Sequence, residues 1–550
     1  MAACLLASRG LDMGPRATGA GSATGPCSFR DGTTSSFSES ILGGMALTRP
    51  GGLPPLGWWP GFAATDVPPH VHEDLATAIA RRVVRSPGQG WKDCFATLLL
   101  DTVDQAAQQP YWVFPYRYPW DVADSLQRSG HPDLLANPRA LVPAWEDFNQ
   151  RVLDFTSRHR ERCLLVHAGW LVRNPEEFGA LACHRFRCDP LRNGDHFWLR
   201  SDWMQTIEGD DPLIRHFERM YPEAIRLLRA LDEAADLSAR GRWCPKGSPR
   251  AASQAVDSHT PPLTVVIPCF NDGVSLPEAV ASVERCAPEG TEIVIVNDGS
   301  TDPDTERALA LLSEDGYVVL DQQRSTPGAA RNHGFHRARS PFVLPLDADD
   351  RLREGFAHTA VAAMTADSSI GVVYGDWNEF GLRTGRRRAP PFRIEKLLIG
   401  NFIAACALVR KQAWEAAGGY DPDIHSWQDW EFWISVAERG WRFHRLSDDE
   451  CALTFDYRIR PGSAVSAAAD EVTRQWLFRH IIDRHHGFYS RHLPGVMAAA
   501  WNERTELQAA LEATQDLVDR HRSGRRRVLA RVLDRRRQRG QGRPVGRLGG

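Results

Sequence analysis

From Leu263 onward, short apolar runs alternate with stretches in which apolar residues recur every third or fourth position. LTVVIP (263–268), EIVIVND (292–298), YVVL (317–320) and FVLPLD (342–347) are near-continuous apolar runs, the pattern of strands buried on both faces. Between the first two, Leu276, Val280 and Val283 fall at i, i+4 and i+7 and predict a helix, and TERALALLSE predicts another before the third run. Strand and helix in repetition predict right-handed crossovers and a parallel sheet, whose ligands bind beyond the carboxyl ends of its strands.

The rest of the chain divides by composition. Residues 1–24, rich in Gly, Ala, Ser and Thr, read as a disordered leader, and 241–262, full of breakers and without apolar periodicity, as a linker between a front unit at 25–240 and the α/β unit at 263–470. Beyond 470 helical patterns dominate. Leu507, Leu511 and Val518 form a short packing stripe, and the tail concentrates Arg525, Arg526, Arg527, Arg531, Arg535, Arg536, Arg537 and Arg539. The periodic part of the chain is therefore expected to be α/β, followed by a C-terminal helical extension. A chain of 550 residues is long enough for such a division.

Charge narrows the choice of partners. Lys plus Arg (66) nearly balance Asp plus Glu (69), so the overall charge calls for no nucleic acid. The eleven cysteines are odd in number and include no CxxC pair, which fits a reducing compartment. Cys183, His184 and Cys188 are the one tight group, and ordinary thiols account for them better than zinc, which needs four ligands. With no apolar run near the roughly 20 residues of a membrane span and no secretory-type stretch in MAACLLASRG, the expected location is cytoplasmic.

Chemistry gathers at the predicted strand ends. The first is followed by Pro268-Cys269-Phe270-Asn271-Asp272, the second by Asn297-Asp298-Gly299-Ser300-Thr301-Asp302, and the fourth by Asp347-Ala348-Asp349-Asp350. Asp272 and Asp302 also suit turns or helix caps. The spacing Asp347-x-Asp349 suits a hard cation such as Mg²⁺ or Mn²⁺, which prefers one or two carboxylates plus substrate phosphates. Without a cation, neighbouring carboxylates raise one another's pKa.

In order and spacing, VVIPCFND, IVIVNDGSTD, PGAARNHG, LPLDADD, AAGGYD, WQDWEFW and YRIRPGSAVS resemble the family-2 glycosyltransferases, nucleotide-sugar enzymes of the GT-A fold, over about 263–466. The resemblance implies that Pro268, Asn271 and Asp298 contact the nucleotide, Asp298 reading the base, and that Arg331 is the cation near the diphosphate. It implies further that Asp347 and Asp349 hold ribose and metal, leaving the role of Asp350 open, and that Asp429 is the general base of inverting transfer. A carboxylate suits that task, because a sugar hydroxyl is a poor nucleophile until its proton is taken. Asp429 opens a predicted helix whose apolar face is Trp430, Trp433, Ile434 and Ala437; helix capping is its other reading, and Glu431 the fallback base. Arg460 stands where many members carry a histidine that can assist at the metal or phosphate; arginine could still bind phosphate but cannot ligate a metal. His425 and His444 are the remaining histidines there. The processive signature QxxRW is not seen after Asp429, which implies addition of one or a few sugars.

The front half is similar, more faintly, to sulfotransferases. FRDGTTSS (29–36) resembles their phosphate loop, and Arg117 and Ser125, eight apart in YRYPWDVADS, resemble the pair that grips the 3′-phosphate of PAPS. This implies a second nucleotide-binding α/β unit, of the sulfotransferase P-loop type, in front of the GT-A one, with PAPS contacts at Arg30, Gly32, Thr33, Thr34, Arg117 and Ser125. Asp31 stands where serine is expected, and Cys94-Phe95 follow WKD in place of Pro-Arg. The expected function is an inverting, metal-dependent hexosyltransferase that uses a nucleotide-sugar, UDP-sugar favoured, on a glycan or lipid-linked acceptor in polysaccharide biosynthesis. PAPS-dependent sulfation, alone or in a bifunctional enzyme, is one alternative, and a non-catalytic glycan- or nucleotide-binding protein is another. The Arg-rich tail reads first as a solvated, disordered segment; peripheral contact with the inner face of an anionic membrane is its sharper reading, and nucleic acid a third.

Overall fold

A computed structural model describes residues 72–80, 97–129, 137–186, 207–237, 260–461 and 470–515, apart from 78, 98, 208–210, 452, 510, 513 and 514. The leader, the loop containing Arg30, Gly32, Thr33 and Thr34, Cys188, Val518 and the Arg-rich tail lie outside the described residues.

In the front half, α1 (Leu100–Ala106) precedes β1 (Trp112–Tyr116), α2 (Pro119–Ser129) and α3 (Leu141–Arg158). Then β2 (Cys163–His167) pairs in parallel with β1, Trp112 opposite Cys163, so α2 and α3 lie within a crossover. α4 (Ala168–Arg173), α5 (Pro175–Phe186), α6 (Pro212–Met220) and α7 (Pro222–Ala234) follow. All five residues of β2 are buried, which suits an apolar run covered on both faces.

The four runs read as strands after Leu263 form β3 (Thr264–Cys269), β4 (Glu292–Asp298), β5 (Val318–Gln322) and β6 (Phe342–Pro345). They are separated by α8 (Leu276–Cys286), α9 (Pro303–Glu314) and α10 (Pro327–Arg337). β7 (Arg351–Leu352), α11 (Phe356–Ala366), β8 (Ile370–Tyr374), β9 (Asp376–Gly381), β10 (Gly385–Arg387), α12 (Ile394–Leu397), β11 (Leu408–Arg410), α13 (Lys411–Ala417), α14 (Gln428–Glu438), β12 (Arg442–Arg445), β13 (Leu453–Ile459) and α15 (Glu471–Arg484) complete the unit. The main sheet runs β12-β8-β11-β6-β3-β4-β5, and a second sheet runs β10-β9-β13-β7.

The main sheet is not wholly parallel. β11 is antiparallel to β6 and β8, because the chain reaches it from the second sheet rather than through a helical crossover from β8. α10 lies directly on β3, since a Cβ at Gly334 would fall inside the van der Waals envelope of the Val266 side chain. Helical residues continue at 486–509, with Tyr489 donating its hydroxyl to the Leu398 carbonyl at 3.0 Å. Farther out Leu507 and Leu511 are exposed rather than packed, the helix having left the body behind. Among the described residues no helix is long and apolar enough to cross a membrane.

The front half is packed onto the back half through α6 and α8. Met220 joins the apolar cluster that contains Leu263, Val280 and Val283, and Glu284 collects three donors around it: Arg215 Nη2 at 2.6 Å, His216 Nε2 at 2.9 Å and Tyr317 Oη at 2.7 Å. Burial alone would push the Glu284 carboxyl up, but hydrogen bonds from His216 and Tyr317 and the charges of His216 and Arg215 hold it at about 2. Because the folded value is depressed, the stabilisation is complete above the ordinary 4.5 and is lost as pH falls toward 2. Glu284→Gln is expected to cost about 3 kcal/mol in urea denaturation at pH 7, as breaking a buried pair does. It should also flatten the acid dependence between pH 4.5 and 2. An unchanged slope in that window would remove Glu284 as its source.

Candidate active site at the carboxyl ends of the main sheet

The strand ends converge as the sequence pattern predicts. β3 delivers Asn271 and Asp272, β4 delivers Asp298, and the turn after β6 delivers Asp347, Asp349 and Asp350. That turn is fixed by Leu346 N–H donating to the Val266 carbonyl and Asp350 N–H donating to the Asp347 carbonyl, both at 3.0 Å.

Of the residues expected to face a nucleotide, Pro268 is half-buried in β3 and Asn271 takes φ 55, the left-handed region that asparagine tolerates. Its Oδ1 accepts from Thr301 N–H at 2.9 Å and Asp302 N–H at 3.1 Å, clasping the loop after β4 to the loop after β3. Asp298 is buried; its carboxylate accepts from Gln322 Nε2 at 2.7 Å and Ser325 N–H at 3.0 Å and pairs with Arg324. Arg324 also lies over the exposed Phe270 ring, 3.6 Å from its centroid. Asp302 fulfils the capping reading: its Oδ2 accepts from Thr305 N–H at 3.0 Å at the start of α9, and Arg139 of the front half pairs with its Oδ1 at 2.5 Å.

Three arginines are laid among the acidic residues. Arg331, 2% exposed, donates through Nη2 to Asp347 Oδ1 at 2.5 Å. Its Nε and Nη1 are buried with no hydrogen-bond partner among the described residues, as is the Tyr420 hydroxyl beside it. Burial works against the Arg331 charge, and Asp347 and Asp429 hold it on. Arg458 N–H donates to Asp350 Oδ1 at 2.9 Å while its Nη2 donates to Glu278 at 2.6 Å. Arg460 Nε lies 2.9 Å from Asp349 Oδ2, and both its terminal nitrogens grip Asp272, at 2.5 and 2.9 Å. Burial and the Asp272 and Asp347 charges push the Asp349 carboxyl to about 6 against the pull of Arg460 and Arg458. Burial and its two acidic neighbours push Asp350 up as well.

The expected divalent ion on Asp347 and Asp349 meets a donor set already engaged. Each of the three carboxylates of the turn faces an arginine N–H, and the Arg460 guanidinium stands 2.9 Å from the Asp349 oxygen that a cation would need. His425 is exposed and His444 pairs with Glu450 at 3.3 Å, so neither supplies the missing ligand. The residues as placed therefore do not fit a divalent ion.

Asp429 sits in the first turn of α14, not at its cap. The cap position is Trp427, in the left-handed region at φ 61 with no side-chain capping bond, its ring edge-on to Trp430 and Phe478. Trp430, Trp433, Ile434 and Ala437 are all buried, and both indoles are pinned, Trp430 to the Leu397 carbonyl at 2.6 Å and Trp433 to the Ile403 carbonyl at 3.1 Å. The Asp429 carboxylate accepts from Asn401 Nδ2 at 2.8 Å. Burial raises its pKa, partly offset by Arg331, the Trp430 N–H and Asn401.

Several participants carry no sequence signal. Asn401 lies in an irregular loop, and Tyr457 on β13 feels the charges of Asp350, Asp347, Asp349 and Asp429 together, its hydroxyl pKa raised first by burial and then by them. Glu431, the fallback base, is fully buried behind the site, where His485 Nε2 meets its Oε1 at 3.0 Å and Arg484 Nε at 2.9 Å. In the front half, Arg117 follows β1 directly and Ser125 lies in α2, half-buried. The Arg117 Nη2 donates to the Asp121 carbonyl at 3.3 Å.

Residues 264–416 match the family model described as Glycosyl transferase family 2, which bears out the resemblance read in this half of the chain. Glycosyltransferase GlyG of Streptococcus pneumoniae serotype 4 is 32% identical over 146 residues, covering 25% of this chain and 47% of that protein. Poly-beta-1,6-N-acetyl-D-glucosamine synthase of Staphylococcus aureus is 26% identical over 115 residues, covering 21% of this chain and 28% of that protein. The chain thus spans less than half the length of these curated relatives. Among solved structures, that of S. aureus TarS 1–349 in complex with UDP-GlcNAc aligns at 20% identity and TM-score 0.32, over 38% of this chain and 61% of that one. The family match falls wholly behind the linker and lends nothing to the sulfotransferase resemblance in front of it.

The anchoring of α14 generates a pH dependence. His485 is buried, which lowers its pKa, but Glu431 Oε1 at 3.0 Å and Glu438 Oε2 at 2.8 Å face its two ring nitrogens and raise it above the ordinary 6.5. A raised folded value means stabilisation that is full below 6.5 and lost as pH rises through it. His485→Gln is expected to lower stability by about 2 kcal/mol near pH 6 and to remove the decline on the alkaline side, read by urea denaturation. A variant that keeps the decline would place its source elsewhere.

Proposed function

We propose that the unit at 263–470 is an inverting hexosyltransferase that moves a sugar from a UDP-sugar to a hydroxyl of a glycan or lipid-linked acceptor. The observation that carries this reading is the buried Arg331, bonded to Asp347 and in the field of Asp429, with its Nε and Nη1 without a partner among the described residues. An unmade hydrogen bond on a buried donor costs about 1–3 kcal/mol, so an oxygen-rich ligand entering here would be bound where the protein is least satisfied. A donor sugar diphosphate has such oxygens. Pro268, Asn271 and Asp298 form the side assigned to the nucleoside, with Arg324 over Phe270 at its rim. Asp347 is assigned to the ribose and sugar side.

Asp429 is the assigned base. The acceptor hydroxyl oxygen bonds to the anomeric carbon, its proton passes to the Asp429 carboxylate, and the anomeric bond to the diphosphate oxygen breaks with its electron pair on that oxygen. A raised pKa makes Asp429 a stronger base than an exposed aspartate, and Asn401 orients the oxygen it bonds. Dependence on Mn²⁺ or Mg²⁺ is read as UDP release from UDP-sugars in EDTA and with the added ion. The similarity to poly-beta-1,6-N-acetyl-D-glucosamine synthase favours an N-acetylhexosamine donor and polysaccharide assembly. The Arg-rich tail is assigned to holding the enzyme on an anionic cytoplasmic membrane face, near lipid-linked acceptors.

A second reading, sulfate transfer from PAPS by the front half, rests on the succession of strand, Arg117 and a helix bearing Ser125. PAPS binding that disappears in both Arg117→Ala and Ser125→Ala supports it, and PAPS binding indifferent to both substitutions removes it.

The principal test is UDP release from a panel of UDP-sugars offered with glycan and lipid-linked acceptors. Turnover is expected with at least one donor and should fall about 10²- to 10⁴-fold in Asp429→Asn. Because the base must be ionised, kcat/KM should decline on the acid side at a pH above the ordinary aspartate value of 3.8. Turnover that survives Asp429→Asn unchanged would overturn the assignment, and nucleotide binding without turnover of any donor would leave a non-catalytic binding protein.

A further inference from the structure

We propose that Arg460 replaces the divalent cation in this site: its guanidinium receives the donor diphosphate and meets the negative charge that forms as the sugar leaves. The inference rests on the transferase reading above and concerns how the same site handles its leaving group.

The position is set by the backbone. Arg460 follows β13, whose Ile459 is registered against Gly381 of β9 and whose carbonyl accepts from Leu382 N–H at 2.9 Å. Two residues earlier, Arg458 N–H is bonded to Asp350 and its Nε donates to the Asp349 carbonyl at 2.7 Å. The end of β13 is therefore tied at successive points to the acidic turn after β6. Arg460 then extends across the gap between that turn and the end of β3, with Asp349 on one edge of its guanidinium and Asp272 on the other.

Of the three arginines in the cluster, Arg331 is 2% and Arg458 4% exposed, whereas the Arg460 side chain is 30% exposed. Arg460 is thus the guanidinium that an incoming ligand reaches first. Its planar fork carries five N–H donors, and the three contacts to Asp349 and Asp272 leave part of that fork for phosphate oxygens. Arginine suits this position because it stays charged and matches phosphate geometry in two-point contacts. A divalent ion bound to Asp349 would face the fixed guanidinium charge 2.9 Å from the same carboxylate oxygen, so each cation opposes the other. During transfer, the electron pair of the breaking anomeric bond goes to the diphosphate oxygen, and Arg460 donates to the diphosphate without giving up its proton. The acceptor proton still goes to Asp429.

The full chain is assayed for UDP affinity by titration calorimetry and for UDP release from UDP-sugars, in EDTA and with Mn²⁺, as wild type and as Arg460→Ala, Arg460→Lys and Arg460→His. Wild type is expected to turn over equally in EDTA and in Mn²⁺. Losing charge-assisted hydrogen bonds should weaken UDP binding about tenfold or more in Arg460→Ala, with Arg460→Lys in between because it keeps charge without the fork. Arg460→His, which exchanges a fixed cation for a metal ligand, should lose turnover in EDTA and regain it with Mn²⁺. Wild-type turnover abolished by EDTA and restored by Mn²⁺ overturns this proposal and leaves the transferase reading standing. Unchanged UDP affinity in folded Arg460→Ala or Arg460→Lys also overturns it. UDP binding that depends on Arg460 without turnover of any donor supports the diphosphate contact and overturns the transferase reading instead.

Discussion

Carboxylates as close together as Asp272, Asp347, Asp349 and Asp350 repel one another, and the fold tolerates them because guanidinium groups are interleaved among them. Arg331 takes Asp347, the Arg458 backbone takes Asp350, and Arg460 takes Asp349 and Asp272 together. The pairing is incomplete: among the described residues Arg331 Nε and Nη1 have no partner, and burial still pushes Asp349 and Asp350 up. Such a cluster is poor as a device for stability, since desolvation opposes most of the Coulomb gain. As a receptacle for a charged oxygen-rich ligand it is well prepared, because its dipoles and charges are in place before the ligand arrives.

Local patterns in the chain carried the scaffold, and long-range pairings did not. The apolar runs at 263–268, 292–298, 317–320 and 342–347 lie within a residue or two of β3 to β6, because continuous β-rich runs have one place to go in a covered sheet. The apolar face beneath Asp429 was equally legible, since Trp430, Trp433, Ile434 and Ala437 are spaced for one side of a helix. The antiparallel turn of β11 was not legible, because a three-residue strand has too short a period to declare a direction. Nor was the partner of Asp349, which stands at Arg460, just past the end of β13 in the second sheet. An ion pair between distant segments leaves no periodicity behind. Asn401 and His485 belong to the same class: each acts on α14 from a different segment, and neither local environment hints at it.

The two halves of the chain are less separate than their composition suggests. Arg351, next to the acidic turn, reaches Asp124 of α2 at 3.1 Å and Glu278 of α8 at 2.5 Å, and Glu278 also holds Arg458. A line of alternating charge therefore runs from a front-half helix to the strand that presents Arg460. Arg139 on Asp302 makes a second crossing, at the cap of α9. The front half accordingly forms part of the wall that keeps the second sheet and the turn after β6 in register.

Gly334 shows how far a functional position can lie from any functional group. It has no side chain and lies three residues beyond Arg331, on the side of α10 pressed against Val266. An added methyl would lift the helix from β3 and carry the buried guanidinium away from Asp347. In a saturation mutagenesis survey scored on activity alone, this glycine would rank with the catalytic residues, and a map drawn from such scores would place the chemistry one helical turn away from the atoms that perform it.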